Sequence, residues 1–185
     1  GLYSTKAYFF GRSLAELPAH TFLGLAAALI TYFTFGMEED GSKIFWFSIF
    51  VMLVTQAGAS VMLFCSSIAK TLEQSNLIAS LILILFLLFD GTWVSKENIP
   101  AAYEWLAELS FMGYGLKGIL KTSLNGLTLS CTTDQEIDGI CPYATGNQYL
   151  EMMKMDNVDP TFNVIILCVF IVVYRFLSYL GLKFM

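Results

Sequence analysis

Residues 88–120 read LFDGTWVSKENIPAAYEWLAELSFMGYGLKGIL. This stretch decides the fold because it begins with the end of one apolar run, and the residues that follow are too polar to form a second uninterrupted apolar run. Around it, 56% of the 185 residues are hydrophobic and 14% are charged, with a mean hydropathy of +0.65. That composition is too apolar for a water-soluble domain of this length and is typical of an integral membrane protein. No pattern typical of a signal peptide opens the sequence, so we expect it to be part of a longer protein.

Long apolar runs predict four membrane-crossing helices. A run of about 20 residues that rises ~1.5 Å per residue spans the roughly 30 Å hydrocarbon core of a bilayer. Pro18 is expected to kink the first helix, with Glu16 and neighbouring helices satisfying the freed backbone groups. Arg175 is the one charge within the fourth run before its end, and it is expected to snorkel to the nearby terminus. The predicted helices cover residues 7–37, 44–69, 75–94 and 161–184.

Residues 100–120 mix aromatic and charged side chains and allow two topologies. If they span, the chain has five crossings and loop 121–160 lies opposite the loop that follows the third helix. If they dip in and return as short re-entrant helices, the chain has four crossings and both loops share one side. The positive-inside rule favours four crossings, with residues 1 and 185 cytoplasmic and loop 121–160 extracellular. Four crossings place five basic residues on one face, namely Lys6, Arg12, Lys70, Arg175 and Lys183.

Two of the four cysteines lie in loop 121–160. Cys131 and Cys141 are separated by a polar segment that a disulfide closes easily, and a disulfide would place this loop in an oxidising compartment. Two free cysteines or a metal pair are the alternatives, although no histidine lies near to complete a zinc site. Cys65 and Cys168 fall within apolar runs, where a small apolar filler is expected.

The chemistry available to an enzyme is sparse. His20 is the single histidine, and its place beside Pro18 favours a packing role over a site. Only Asp90 lies at a helix end, whereas an intramembrane aspartyl protease needs two aspartates in facing spans. No glycine-rich loop followed by Lys and Ser or Thr is present, so we expect no catalysis and no cofactor in this chain. Glu16 is expected either to pair with Arg12 at the surface or to form a fixed charge at a helix junction.

Six groups of short motifs are distributed along the whole length of the chain, each occurring once. They are GLYSTKAYFFGRSLAELP at 1–18; FDG at 89–91 with Ile99-Pro100; Trp105-Leu106; Ser110-Phe111 with Tyr114-Gly115; Asn125-Gly126-Leu127; and Cys141-Pro142 with Gly146 and Gln148-Tyr149-Leu150. In this order and spacing they resemble the transmembrane domain of the G subfamily of ABC transporters, the white and breast-cancer-resistance type. Each motif is weak alone, but six in register are specific.

The resemblance implies a half-transporter whose third to sixth transmembrane helices fill residues 1–185 as a single all-α membrane domain. It implies four transmembrane helices, a re-entrant helical pair at 100–120 and a disulfide-bonded extracellular loop at 121–160. The expected partners are membrane lipid, a lipophilic substrate, the protein's own nucleotide-binding domain and a second half-transporter, with no nucleic acid. ATP and Mg are expected in the nucleotide-binding domain, and the plasma membrane is the expected location.

The resemblance also assigns candidate substrate-cavity residues. Ser80, Ile84 and Leu87 would form the cavity face of the family's fifth helix, because spacings of four and three residues place them on one helical face. His20 matches a third-helix position that is linked to substrate preference in the family.

A gate and a disulfide complete the residues implied by the resemblance. Thr92 and Trp93 occupy positions where some multidrug members have a leucine gate, and the replacement of two leucines puts the mechanism of gating in doubt. Cys131 and Cys141 would form the extracellular disulfide. A third loop cysteine that links the dimer in some members is missing, so covalent dimerisation through this loop is not expected.

The sequence therefore predicts the membrane half of an ATP-driven exporter of lipids, sterols or xenobiotics that works by alternating access. One alternative is a nucleotide-independent channel or lipid-translocating module, for which no phosphate-binding domain should precede the chain. Another is a structural or receptor-like membrane protein, for which replacing Ser80 or Leu87 should leave transport of a lipophilic dye unchanged.

Overall fold

The computed structural model describes residues 5–37, 40–90, 104–128, 145–153, 155 and 157–184. Within these ranges the chain is helical apart from an isolated antiparallel bridge between Thr128 and Thr145. The all-α prediction is therefore confirmed for the described residues. The helices are α1 (Thr5–Thr34), α2 (Gly41–Ile68), α3 (Leu72–Leu88), α4 (Glu104–Leu109), α5 (Phe111–Leu124), α6 (Gly146–Met152) and α7 (Pro160–Phe184).

Within the described ranges, three helices are long and apolar enough to cross a membrane, namely α1, α2 and α7. The fourth apolar helix, α3, has 17 residues, which reach only about 25 Å at ~1.5 Å per residue. The expectation that this helix continues to Val94 was wrong, because α3 ends at Leu88 and Phe89 caps it with φ −102° and ψ 13°. The acid Asp90 follows and is buried, so the apolar pattern stops where the helix does. Residues 91–94 lie outside the described residues.

Helix α2 is the centre of the bundle, because it contacts α1, α3, α5 and α7. Its side chains form half of the buried main hydrophobic core, namely Phe50, Ala57, Val61 and Cys65, which are fully buried. A helix surrounded on most sides by other helices has apolar residues all round its axis. The other two long helices instead expose many large apolar side chains, such as Phe22 of α1, which is 75% exposed.

The start of α1, the end of α2, the start of α3 and the end of α7 lie together at one end of the bundle. There the ring of Phe9 lies 5.6 Å from that of Tyr179, and Ser178 Oγ donates to the Leu63 carbonyl at 3.2 Å. At the other end, the start of α2 and the end of α5 meet the start of α7. Neighbouring helices among α1, α2 and α3 therefore alternate in direction, and α7 runs parallel to α2.

Helix α5 begins beside the last turn of α3. Ser110 Oγ donates to the Phe86 carbonyl at 2.8 Å, so the chain returns at residue 110 to the depth that α3 has reached. From there α5 runs antiparallel to α2, with Gly115 against Val54 and Gly118 against Phe50. A Cβ at either glycine would overlap the α2 side chain, so both are needed for this close approach. The 14 residues of α5 cover about 20 Å, too little to cross a bilayer core.

The described residues of the predicted loop 121–160 include helical segments. Residues 121–160 were assigned to a loop, but α5 continues to Leu124 and α6 covers Gly146–Met152. The start of α6 is fixed by a capping box, in which Thr145 Oγ1 accepts from the Gln148 N–H and Gln148 Oε1 accepts from the Thr145 N–H. This Thr-x-x-Gln pattern is a helix-start signal that is readable in the sequence.

Candidate functional site

The three residues assigned to the cavity face of α3 lie together on an exposed surface. Ser80 is exposed, Ile84 is 53% exposed and Leu87 is 44% exposed. With 3.6 residues per turn, the three positions lie within about 60° of one another around the helix. The opposite face of α3 is buried, with Ala79 and Phe86 in the main core. The α3 surface, defined by Ser80, Ile84 and Leu87, is therefore apolar with one hydroxyl.

His20 is not part of the α3 surface within this chain. It is half-buried on α1 and lines a different cavity, between α1, the end of α2 and the start of α3, together with Arg12 and Lys70. The assignment of His20 to substrate preference stays a prediction.

The predicted gate and disulfide, Thr92 with Trp93 and Cys131 with Cys141, lie outside the described residues and stay predictions. Of the cysteines within the described part, Cys65 is buried in α2 and Cys168 is exposed on α7, and neither forms a disulfide.

Arg175 forms a polar junction among the three long helices, so the expectation that it snorkels to the terminus was wrong. Its guanidinium donates to the Ser13 carbonyl of α1 at 3.3 Å. It also donates to Ser60 Oγ at 3.3 Å and to Gln56 Oε1 at 3.4 Å, both on α2. The physical reason is depth: Arg175 lies nine residues before the helix end at Phe184, or about 14 Å. Polar groups on neighbouring helices are closer to it than the end of the helix.

Gln56 links this junction to Pro18, which lies inside α1 without ending the helix. The Gln56 amide nitrogen donates to the Leu17 carbonyl and to Thr21 Oγ1, each at 2.9 Å. Pro18 lacks the N–H that would bond the Leu14 carbonyl, whereas Gln56 donates to groups next to the proline, the Leu17 carbonyl and the Thr21 hydroxyl. Gln56 is 5% exposed. The Gln56 side-chain nitrogen thus donates to α1 and the side-chain oxygen accepts from α7, so both polar atoms of the amide are bonded.

Glu16 does not join the junction through a hydrogen bond. Arg12 Nε donates to Glu16 Oε1 at 2.8 Å, and the two side chains are 46% and 29% exposed. Of the two alternatives for Glu16, the surface pair with Arg12 is the one the structure shows. Exposed pairs of this kind contribute little to stability, roughly 0–1 kcal/mol.

A second polar cluster joins α4, α5 and α7. Tyr114 donates its hydroxyl to Glu108 Oε2 at 2.7 Å, and Lys117 Nζ lies 5.3 Å from the Tyr114 ring centre. Burial, followed by the bond to Glu108, raises the pKa of Tyr114 to about 12, so the phenol stays a donor at neutral pH. Asn163 of α7, which is 3% exposed, donates to the Tyr114 carbonyl at 3.2 Å.

Comparison with known proteins identifies the family. The model of the ABC-2 type transporter family matches residues 1–124, about two thirds of the chain. This chain belongs to the ABC-2 type transporter family. The family resemblance predicted from the motifs is therefore confirmed, and the ABC-2 domain is a multi-pass integral membrane protein.

Relatives of this ABC-2 domain are similar to it from end to end. ABC transporter G family member 1 of Dictyostelium discoideum is 28% identical, over 99% of this chain and 24% of that protein. Protein white of Drosophila melanogaster is 27% identical, over 98% of this chain and 26% of that protein. The broad substrate specificity ATP-binding cassette transporter ABCG2 of Bos taurus is 24% identical, over 100% of this chain and 29% of that protein. The chain thus spans about a quarter of the length of these relatives.

The chemistry of this ABC-2 domain is that of binding and packing. Within the described ranges no group of three or more His, Cys, Asp or Glu side chains could hold a metal ion. No phosphate-binding Gly-x-x-x-x-Gly-Lys-Ser/Thr motif occurs in the sequence, so the chain's residues do not fit the triphosphate of ATP or its Mg ion. The polar groups within the bundle instead join helices to one another.

The junction around Arg175 is the feature that sequence reasoning missed. A signal for it existed, because Gln56 is the only strongly polar residue of a long apolar run and Arg175 lies well inside another. Intramembrane polar and charged residues face the bundle interior and pair with one another. Applied to both residues together, that rule points to a contact between α2 and α7.

Proposed function

We propose that this ABC-2 domain is the membrane-spanning half of an ATP-driven exporter that moves lipophilic or amphipathic molecules by alternating access. The observation that carries the proposal is the exposed α3 surface in a chain that belongs to a transporter family. Sites for small molecules are mostly apolar with a few placed polar groups. Ile84 and Leu87 offer apolar contacts, and Ser80 offers one hydroxyl to orient the polar end of an amphipathic molecule.

A second half-transporter completes the cavity in this proposal. The α3 surface is apolar on a helix whose opposite face is already buried, so a facing copy of the same surface would enclose a space between the two chains. Relatives named as G family transporters support this arrangement. Whether the partner is an identical or a different chain does not alter the argument, because either would supply the second wall.

ATP binding belongs in this proposal to a nucleotide-binding domain outside the 185 residues. The chain spans about a quarter of the length of its relatives, and one of them is named an ATP-binding cassette transporter. ATP and Mg would supply the energy there. This chain's own residues would respond by changing helix packing, which exposes the α3 surface to opposite sides of the membrane in turn.

The proposed topology has four crossings in the plasma membrane. The helices α1, α2 and α7 are long enough to span, and α3 would complete the fourth crossing. The half-depth helix α5, together with α4, would be the re-entrant pair, entering from the side where α2 begins. On that side we place loop 121–160, the Cys131–Cys141 disulfide and the gate at Thr92 and Trp93, outside the cell.

Vesicle transport tests the function. Full-length protein in inside-out vesicles should take up at least one member of a sterol, phospholipid and amphipathic drug panel when ATP is present. Ile84→Trp places a larger side chain on the α3 surface, where it would occupy space needed by the substrate. Overpacking of this kind costs about 1–3 kcal/mol, which would lower uptake about tenfold. Val172→Trp is the matched control, because Val172 is an aliphatic residue of α7 that is 66% exposed, away from the α3 surface.

The outcomes separate the alternatives. Uptake that is equally fast without ATP would support the nucleotide-independent channel or lipid-translocating module instead. Uptake that both tryptophan variants leave unchanged would remove the α3 surface from the transport path. An equal loss in both variants would show a general packing effect, which also speaks against a substrate-contacting role for Ile84.

A further inference from the structure

A cavity of about 480 Å³ opens between α1, the end of α2 and the start of α3. It lies at the end of the bundle where α1 begins, and Ser80, Ile84 and Leu87 do not line it. Its charged and polar lining is contributed by α1, α2, α3 and the link between α2 and α3. These residues include Arg12, Glu16, His20, Lys70, Thr71 and Asn76.

The depth of the cavity follows from the position of Lys70. This lysine lies in the three-residue link between Ile68, the last residue of α2, and Leu72, the first residue of α3. Both helices are apolar, so their link lies at the boundary between hydrocarbon and lipid headgroups. Met62 and Leu63 of α2 and Leu72 of α3 form an apolar wall of the same cavity. Leu72 is 81% exposed and therefore extends this wall to the lipid side.

The cavity has an excess of positive charge. Arg12 and Lys70 are cations, and Glu16 is the single acid in the lining, bonded to Arg12 at 2.8 Å. These three groups leave one net positive charge. In the part of the chain that the structure describes, the side chains of Lys70 and His20 have no hydrogen-bond or ion-pair partner. Glu73, in the first turn of α3, is exposed and does not line the cavity.

We propose that this cavity binds the phosphate-bearing headgroup of an anionic phospholipid from the leaflet in which Lys70 lies. Basic pockets between membrane helices at headgroup depth are suited to such headgroups. Lys70 and Arg12 would contact the phosphate, and Thr71 and Asn76 would supply hydrogen bonds. The acyl chains would lie along the apolar wall of Met62, Leu63 and Leu72. A free phosphate ion would use the cations but leave this wall uncovered, so the lipid is the better match.

Binding to purified full-length protein tests the proposal. Dioctanoyl-phosphatidylserine, dioctanoyl-phosphatidylcholine and inorganic phosphate are titrated separately, and dissociation constants are measured by native mass spectrometry or microscale thermophoresis. We expect saturable binding of the serine lipid, weaker binding of the choline lipid and no saturable binding of phosphate. Lys70→Gln should weaken binding of the serine lipid about fivefold, the effect of one basic residue near an anionic membrane surface. Lys70 is exposed, so the variant should fold normally.

Two control variants distinguish binding in the cavity from general electrostatic or apolar attraction to the protein surface. Lys6→Gln removes an exposed lysine of α1 at the same end of the bundle that does not line the cavity, and it should change binding by less than about twofold. Ser66→Trp places a large side chain into the cavity without changing its charge, and it should abolish saturable binding. Val172→Trp places the same side chain on the exposed side of α7 and should bind the lipid as the wild-type protein does.

Several results would overturn the proposal. Equal losses in Lys6→Gln and Lys70→Gln would show unspecific surface attraction. Equal affinities for the serine and choline lipids would show that the cations do not select the headgroup. Phosphate that binds as tightly as the serine lipid would identify a soluble anion as the ligand. No saturable binding by the wild-type protein would mean that another part of the protein covers the cavity.

Discussion

Replacing Gln56 should destabilise the protein more than replacing Arg175, although each side chain makes three hydrogen bonds to other helices. Arg175→Met removes three hydrogen bonds of 3.3–3.4 Å. Interhelical bonds in membranes contribute about 0.6 kcal/mol each, so the loss is roughly 2 kcal/mol. The same change removes a charge that costs about 2.5–3.5 kcal/mol at the centre of a membrane helix on insertion scales. The two effects offset each other, so the free energy of unfolding of Arg175→Met should lie within about 1 kcal/mol of the wild-type value.

Gln56→Leu has no such compensation. It removes two bonds of 2.9 Å to α1 and one acceptor of the Arg175 guanidinium, while the charge stays in place. Leaving a buried charged group underpaired costs about 1–3 kcal/mol in addition to the lost bonds. The total is roughly 2–4 kcal/mol. The double variant should therefore be more stable than Gln56→Leu alone, because it removes the underpaired charge.

The measurement is heat stability of full-length protein in detergent, followed by fluorescence size-exclusion chromatography. The expected order of midpoints is wild type and Arg175→Met highest, the double variant next, and Gln56→Leu lowest. Thr55→Val is the control, because Thr55 Oγ1 bonds to the Val51 carbonyl of its own helix. If Arg175→Met were as unstable as Gln56→Leu and the double variant showed no recovery, the offset between charge burial and hydrogen bonding would be refuted.

Two further predictions concern helix contacts and topology. Gly118→Ala should lower the heat-stability midpoint because its Cβ meets the Phe50 ring, whereas Gly58→Ala, with open space around Gly58, should raise it slightly through the higher helix propensity of alanine; equal shifts would show that α5 is not held closely against α2. Thiol labelling of intact cells should modify Cys131 and Cys141 only after reduction, and labelling from the cytosolic side alone would reject the proposed topology.

The long helices could be predicted because their signal is local. Apolar runs of twenty or more residues with at most one charge in their interior satisfy their backbone groups within a helix in a bilayer, so α1, α2 and α7 lie where the hydropathy places them. The end of α3 was misplaced for the converse reason. Residues up to Val94 are apolar enough to continue a helix, and the sequence does not show that Asp90 is buried beside Gly113 of α5.

The site was harder to predict because its parts come from separate helices. Ser80, Ile84 and Leu87 share one face of a single helix, so periodicity alone groups them. The junction requires Ser13, Gln56, Ser60 and Arg175 to meet across three helices, and hydropathy contains no information on which faces meet. Each of these residues was visible as an exception in an apolar run, but their partners were not.

Helix α6 was missed although its signal is local. The Thr145-x-x-Gln148 capping box is a recognised helix start, but the surrounding segment was interpreted as a loop because of its polar composition. Composition describes how a segment interacts with solvent, whereas capping residues describe how its backbone hydrogen bonds are satisfied. The capping residues therefore predict α6, whereas the composition of the segment does not.

The uneven distribution of hydrogen bonds across the bundle gives its helices different freedom to move. Separating α1 or α7 from α2 breaks the hydrogen bonds of Gln56 and Arg175. Within the described residues, α3 bonds at its start to Thr71 of the link before it, and its one hydrogen bond to a segment distant in sequence is from Ser110 to the Phe86 carbonyl near its last turn. Sliding or tilting of α3 about that point would exchange only apolar contacts. Among the described residues, polar groups thus join α1, α2 and α7 to one another, whereas α3 is joined to the start of α5 near its own end and packs elsewhere mainly through apolar side chains.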